Sequence, residues 1–234
     1  MFKKDINQND ILSSELLNIG DYNYKFNKSP INRIKTKPTL EDSLSKLQIL
    51  KKKIESIDNC KFKKNSSRIV FNDGDIASPL MIIGDGPDKE DDKIGKPFMS
   101  ESGNLLNKML MAINLKREKT YITNIFNYLL PEDSNPEQSE INKYAEFAKE
   151  HISIINPKII ILMGSLAMGA IVGKNKKISQ ERGKWKEIII GKKNYKAIIT
   201  FHPSYLIRKP DQKKFSWNDL KIIKKEIKFL NIKI

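Results

Sequence analysis

The chain has 234 residues and a formal net charge of +15, and 39% of its residues are hydrophobic. This length suits one large α/β domain with appendages. A single cysteine excludes an internal disulfide, and no apolar run approaches the roughly 18 residues that a membrane span needs. Without a signal-peptide core, the composition predicts a soluble, cytoplasmic protein.

The positive charge is concentrated near the C-terminus. Residues 174–234 contain 18 Lys and Arg against 5 Asp and Glu, a net charge of +13, so the rest of the chain holds only +2. A basic region of this kind is typical of proteins that bind nucleic-acid phosphates. Abundant Lys, Ile and Asn also fit AT-rich coding, so charge alone leaves nucleic-acid binding open.

The predicted elements begin after a polar, unpatterned segment. Residues 1–38 are expected to form a flexible N-terminal extension. Leucines and isoleucines between Leu40 and Ile54 recur at helical spacing behind Thr39, which predicts a capped helix. From residue 67 onward strand-like runs alternate with helical patterns. The strand candidates are 68–71, 80–83, 121–125, 157–162, 187–190 and 195–200, and the helix candidates are 102–113, 136–155, 166–170 and 216–230.

This alternation predicts an α/β class protein: a three-layer fold with a central, mainly parallel four-stranded sheet and an N-terminal helical extension. Residues 39–234 are expected to form a single domain that includes the leading helix. Ligands of such sheets bind at the carboxyl ends of the strands. Three polar loops fall there, one after Ile83, one after Ile122 and one after Thr200.

The loop from Gly84 to Phe98 carries five carboxylates in a basic chain. Like charges repel, so this crowding opposes folding unless chemistry uses it. Carboxylates at a polyanion site cannot serve affinity, which favours catalysis at a phosphate-rich substrate. The glycines and prolines of the loop indicate that Asp85 and Asp91 are held in place, whereas Asp88 and the others are typical of a solvated turn. Phe98 either plugs the core or stacks on a planar ligand.

The other two loops offer groups that could recognise a base. Asn124 ends a strand, where an asparagine either caps a turn or reads the edge of a base. His202 ends another strand and is either structural or part of the site. The segment from Ser204 to Lys209 places aliphatic side chains next to cations, which could wedge into a base stack while the cations hold phosphates.

In this order and spacing, the three loops resemble the uracil-DNA glycosylase superfamily, and most of all its family-four branch. The resemblance covers roughly residues 59–220. The matching motifs are Gly84-Asp85-Gly86-Pro87-Asp88, Asp91-Asp92-x-x-Gly95-x-Pro97-Phe98, Ser102-Gly103-Asn104-Leu105-Leu106, Thr123-Asn124, Asn156-Pro157-Lys158, Arg182-Gly183-x-Trp185, His202-Pro203-Ser204 and Trp217-x-Asp219-Leu220.

The resemblance implies a role for each matching residue. Phe98 would stack on a flipped uracil, Asn124 would read its Watson–Crick edge, and His202 would donate toward its O2. Asp91, where the family has glutamate, would position the attacking water. The remaining pocket residues would be Gly84, Asp85 and Gly86, and Asp85 would also be catalytic. The residues that bind DNA would be Ser165, Arg182, Ser204, Tyr205, Leu206, Ile207, Arg208 and Lys209.

The family's cofactor is an iron–sulfur cluster held by four cysteines. Here Cys60 is the only cysteine, and Lys63, Tyr128 and Tyr144 stand at the other three positions. One thiolate cannot hold such a cluster. The sequence therefore predicts no cofactor and no metal, as in a cluster-free branch among bacterial relatives.

The predicted function is a monomeric DNA-repair enzyme of bacterial type that hydrolyses the N-glycosidic bond of uracil in DNA and leaves an abasic site. One alternative is a weak or inactive relative that only binds DNA, because Asp replaces glutamate at Asp85 and Asp91 and replaces glycine at Asp88. Another is a metal-dependent nuclease, since acidic clusters with histidine can hold divalent ions. The sequence leaves the preference for single or double strands open.

Overall fold

The computed structural model describes residues 39–58, 60–130, 136–173 and 176–232. The helices are α1 (Leu40–Glu55), α2 (Lys89–Ile94), α3 (Glu101–Ala112), α4 (Gln138–Ile155), α5 (Ser165–Ile171), α6 (Ile178–Glu181), α7 (Pro203–Arg208) and α8 (Lys213–Phe229). The strands are β1 (Asp73–Gly74), β2 (Leu80–Gly84), β3 (Tyr121–Asn124), β4 (Ile159–Met163), β5 (Trp185–Ile190) and β6 (Lys193–Thr200).

The described strands form one six-stranded sheet in the order β1-β3-β2-β4-β6-β5. The four central strands β3, β2, β4 and β6 are parallel, which confirms the predicted parallel sheet. The short strand β1 and the hairpin strand β5 add antiparallel edges on either side, so the described sheet has six strands where four were predicted. The sheet thus aligns the carboxyl ends of four strands at one edge, where the three polar loops begin.

Both faces of the sheet are covered, because alternate residues of each strand point to opposite sides. Met81 and Ile83 pack on the layer built from α1, α4 and α5, while Leu80 and Ile82 pack on the layer of α3, α7 and α8. All four of these strand residues are fully buried. The three-layer α/β prediction is therefore confirmed.

The predicted strand 68–71 is wrong, because this segment is held by separate hydrogen bonds to backbone and side chains and forms no strand ladder. Val70 donates its N–H to the carbonyl oxygen of Asn127 at 2.8 Å, and Asn127 Nδ2 returns a hydrogen bond to Val70 at 3.0 Å. Thr123 Oγ1 donates to the carbonyl oxygen of Phe71 at 2.7 Å. A two-residue strand at Asp73 follows instead.

The structure does not test the two predictions about domain organisation. The extension 1–38 lies outside the described residues, and the exact bounds of the single domain stay a prediction. Among the described residues, no helix combines the length and apolar character that crossing a membrane requires.

Candidate active site

The ends of β2 and β3 bring the predicted pocket residues together. Gly84 is the register partner of Asn124. A Cβ atom at Gly84 would collide with Asn124 Oδ1 and with the ring of Phe98, so only glycine fits between them. The Phe98 ring stacks on His202 with 5.2 Å between centroids and 27° between planes. Gly84, Phe98, Asn124 and His202 therefore line one site.

Three polar atoms in this site have no hydrogen-bond partner among the described residues. They are Oδ1 and Nδ2 of Asn124, which is 2% exposed, and Nε2 of His202. An unpaired buried polar group costs about 1–3 kcal/mol, so folds keep few of them without a reason. These atoms point to a ligand that supplies the missing acceptor and donor groups.

The ring of His202 is oriented by the start of α7. Its Nδ1 accepts the backbone N–H of Ser204 at 3.2 Å and lies 2.8 Å from Ser204 Oγ. Because Nδ1 accepts, the neutral imidazole carries its proton on the unpaired Nε2, which is therefore a donor. Burial, assisted by the charge of Arg208, lowers the pKa of His202 to about 4, so the ring is neutral at pH 7.

Phe98 has a strained backbone, with a φ of 56° in the left-handed region. Asp91 Oδ2 accepts the N–H of Phe98 at 3.0 Å, and its Oδ1 accepts the N–H of Met99 at 2.6 Å. Arg117 donates to the carbonyl oxygens of Pro97 at 2.6 Å and Phe98 at 3.0 Å. The backbone that carries the stacking ring is thus fixed by hydrogen bonds at both its N–H and its carbonyl group.

Gly103 and Arg117 both lie against the carbonyl group of Phe98, but only Gly103 was marked by the sequence. Gly103 belongs to a matched motif, and a Cβ there would collide with the carbonyl oxygen of Phe98. Arg117 was missed, because it follows α3 in an unpatterned turn and no sequence signal marks it. Its Nε donates to Asp73 at 2.8 Å, which fixes the guanidinium against β1.

The carboxylate of Asp91 is enclosed, with the residue only 3% exposed. Burial raises its pKa to about 6; the charge of Asp88 adds to the rise, while the N–H groups of Met99 and Phe98 oppose it. Since both oxygens accept loop N–H groups, Asp91 holds the Phe98 backbone. Its predicted role in positioning water stays a prediction.

Asp85 lies at the other side of the site, against the first turn of α5. Its Oδ1 accepts the N–H of Ala167 at 2.8 Å, and its carboxylate occupies the space that a Cβ at Gly164 would fill. Burial raises its pKa to about 7, although the N–H groups of Ala167 and Leu166 oppose the shift. The residue as a whole is half-buried, but its carboxyl group is enclosed.

Asp88, which stands where the family has glycine, caps a helix. Its side chain accepts the N–H groups of Glu90 and Asp91 at the start of α2, each at 3.0 Å. Ser100 Oγ donates to its other oxygen. The additional charge is therefore stabilised by local hydrogen bonds, and it still contributes to the raised pKa of Asp91. Gly86, in the loop after β2, lies beside Phe126, which comes two residues after Asn124 at the end of β3.

Two of the predicted DNA contacts have structural partners in this fold, and Arg182 stays a prediction as a DNA contact. Leu206 is 1% exposed and packs in the core beneath α7, so its side chain faces the core and not a groove in this structure. Arg182 donates to the buried carboxylate of Asp219, with Nε to Oδ2 at 3.0 Å, and to the carbonyl oxygen of Phe215. A Cβ at Gly183 would collide with Asp219, which explains why these two motifs occur together.

The remaining predicted contacts are accessible. Ser165 is exposed at the start of α5, Arg208 and Lys209 are exposed at the end of α7, and the side chains of Ser204, Tyr205 and Ile207 are half-buried. All of them follow the carboxyl ends of β4 or β6, on the same edge of the sheet as Phe98. They remain predictions as DNA contacts.

Comparisons with known proteins point to one family. The family model of the Uracil DNA glycosylase superfamily matches residues 71–221. A Type-4 uracil-DNA glycosylase of Thermotoga maritima is 32% identical over 69% of this chain and 83% of its own length. The Type-4 enzymes of Sulfurisphaera tokodaii and Archaeoglobus fulgidus are 31% and 27% identical, over 78% and 77% of this chain and 84% and 92% of their own.

These relatives also correct the cofactor prediction. Type-4 enzymes are a class that carries an iron–sulfur cluster, so the prediction of a protein without a cofactor is contradicted. The residues present do not fit a four-cysteine cluster: Cys60 is the only cysteine, and its Sγ lies 3.2 Å from Tyr144 Oη. A bacterial origin stays a prediction.

Proposed function

The chain belongs to the uracil-DNA glycosylase superfamily, and on that premise we propose that it excises uracil from DNA by hydrolysing the C1′–N1 bond. The observation that carries this proposal is the stacked pair Phe98 and His202 beside an asparagine whose amide has no partner among the described residues. A flat base would stack on Phe98, and its imide edge would supply the missing partners of the Asn124 amide.

The base is held by stacking and by its Watson–Crick edge. The ring of Phe98 stacks on the flipped uracil. Asn124 Nδ2 donates to uracil O4, while its Oδ1 accepts the N3–H, so both unpaired atoms gain partners. Flipping costs a few kcal/mol, which these contacts and those to the DNA backbone must offset.

The leaving base is stabilised by His202. When the C1′–N1 bond breaks, its electron pair stays on the uracil and negative charge develops at O2. The Nε2–H of neutral His202 donates toward that oxygen, and the ring is already oriented by Ser204. A fixed donor aimed at developing charge lowers the barrier without reorganising during the reaction.

The two aspartates act on the sugar side of the bond. Positive charge builds on the sugar as the base leaves, and a nearby carboxylate stabilises it more in the transition state than in the ground state. Asp91 is proposed to orient the water whose oxygen bonds to C1′, besides holding the Phe98 backbone. Asp85, half-buried across the site, supplies the second carboxylate.

Cations beside the site are proposed to bind DNA. Arg208 and Lys209 would hold phosphates, while Ile207 and Tyr205 would fill the gap left by the flipped base; Ser165 and Ser204 would contact the backbone. We expect the protein to act as a cytoplasmic monomer that needs no membrane.

The test is a glycosylase assay on matched oligonucleotides containing uracil or thymine, each with and without excess chelator. The expected result is abasic sites in the uracil strand only. Cleavage of both strands that chelator abolishes would contradict the proposal and favour a nuclease. Tight binding of uracil-DNA without turnover would favour the inactive relative.

A further inference from the structure

A groove outside the uracil pocket runs between α3 and α8. Its volume is about 190 Å³ and its walls are almost entirely apolar. Leu206 and Leu220, both buried, form its floor. The groove starts near the pocket, because α3 begins three residues after Phe98 and α7 begins directly after His202. It is therefore placed to bind something that continues from the uracil site.

The rim of this groove carries an exposed aromatic ring. Trp217 is 44% exposed and lines the groove together with Leu105 of α3. An indole left half in water at the edge of an apolar groove offers a flat stacking surface. Such a surface accepts any base, since every base has a π-face.

Cations extend from the proposed DNA contacts to the groove. Lys108 and Lys213 line it, and neither forms an ion pair with a carboxylate of the described residues. Between Arg208 and Lys214 the chain has four cations against one carboxylate, Asp211. The positive surface is thus continuous from the end of α7 to the first turns of α8.

Resting on the proposed function, we propose that this groove is a second DNA subsite, in which Trp217 stacks on a base of the single strand that flanks the uracil. Aromatic plates combined with a cationic path are how proteins bind single strands without reading sequence. An acidic peptide with an apolar side chain is the competing occupant. The continuity of the cations with α7, which already faces DNA in the proposed function, favours the strand.

The test compares two uracil-containing single strands, with about three and about ten nucleotides on each side of the uracil. Trp217→Ala is expected to lower kcat/KM on the long strand about five-fold or more and to leave the short strand unchanged. Trp217→Phe keeps a stacking ring and should retain most of the long-strand activity. Phe229→Ala is the matched control, because Phe229 is a 76% exposed aromatic residue at the far end of the same helix.

Binding is measured separately through tryptophan fluorescence, using a uracil-free single strand of about 20 nucleotides. Quenching is expected in the wild-type protein and should be weaker in Trp217→Phe. Equal kcat/KM for wild type and Trp217→Ala on the long strand would overturn the inference. Quenching by a phenylalanine-tipped oligoglutamate peptide but not by the strand would also overturn it, in favour of a protein partner. If no uracil is excised from either strand, the proposed function fails, while the fluorescence titration still decides the subsite.

Discussion

Arg117 Nη1 donates to the carbonyl oxygen of Phe98 at 3.0 Å, across 19 residues of sequence. The same guanidinium binds Pro97 and is anchored by Asp73, so an arginine outside every matched motif holds the stacking ring. Asp91 binds the opposite, N–H side of the same backbone. Together they stabilise a left-handed conformation that a phenylalanine disfavours when left alone.

Replacing Arg117 should therefore affect catalysis more than binding of DNA. Arg117→Ala removes charge-assisted hydrogen bonds that are each worth about 1.5–3 kcal/mol, so both the melting temperature and kcat should fall, with kcat down about ten-fold or more. Arg117→Lys keeps the charge but lacks the two-pronged geometry and should recover stability better than kcat. Steady-state kinetics with thermal melting measures both, and an unchanged kcat in Arg117→Ala would contradict the positioning role.

The arrangement of the site explains how much the sequence could predict. The parallel strands and the strand-end positions of Asn124 and His202 follow short local patterns, because strand ends and loops are local features. The roles of Phe98, Asn124 and His202 in holding a base are implied by the family resemblance and not by those patterns. The role of Arg117 depends on a contact between distant segments, which no local pattern encodes. Leu206 is a related case: successive residues of α7 lie about 100° apart around the helix axis, so the local pattern does not decide whether Leu206 or Ile207 faces the core.

Asn124 should show opposite effects on activity and stability. Its amide is buried and unpaired among the described residues, so Asn124→Leu removes two unsatisfied polar atoms while keeping a similar volume. Excision of uracil should fall by about a hundred-fold or more, because the base edge loses its partners. The melting temperature should stay the same or rise. A drop in both would mean that Asn124 is a structural residue.

The pH dependence should report Asp85. Burial raises its folded pKa to about 7, above the ordinary value of 3.8, so the fold favours the protonated form. The stability this contributes is complete below about pH 4 and is lost as the pH rises through about 7. If the ionised form is catalytic, kcat/KM should rise with pH up to about 7, while His202, with a pKa of about 4, stays neutral throughout.

Asp85→Asn is the matched variant for this profile. It should lose most activity and melt higher than the wild-type protein at about pH 8, with the difference disappearing toward about pH 4. Asp91→Asn should instead lower the melting temperature above about pH 6, where Asp91 is ionised and both its oxygens accept loop N–H groups, because an amide cannot accept both. An unchanged pH profile in Asp85→Asn would assign the titration to Asp91, whose pKa is about 6.

Leu206 and Ile207 are neighbours in α7, and substituting each of them distinguishes core packing from DNA contact. Leu206→Ala removes a buried side chain and should cost about 2–5 kcal/mol of unfolding free energy, with no selective effect on DNA binding. Ile207→Ala changes a half-buried side chain on the other face of the helix, so the melting temperature should change little while KM for uracil-DNA rises. Denaturant unfolding and steady-state kinetics on both variants decide the point. If Leu206→Ala raises KM and Ile207→Ala does not, α7 must rotate on binding DNA, since only then could Leu206 reach the strand.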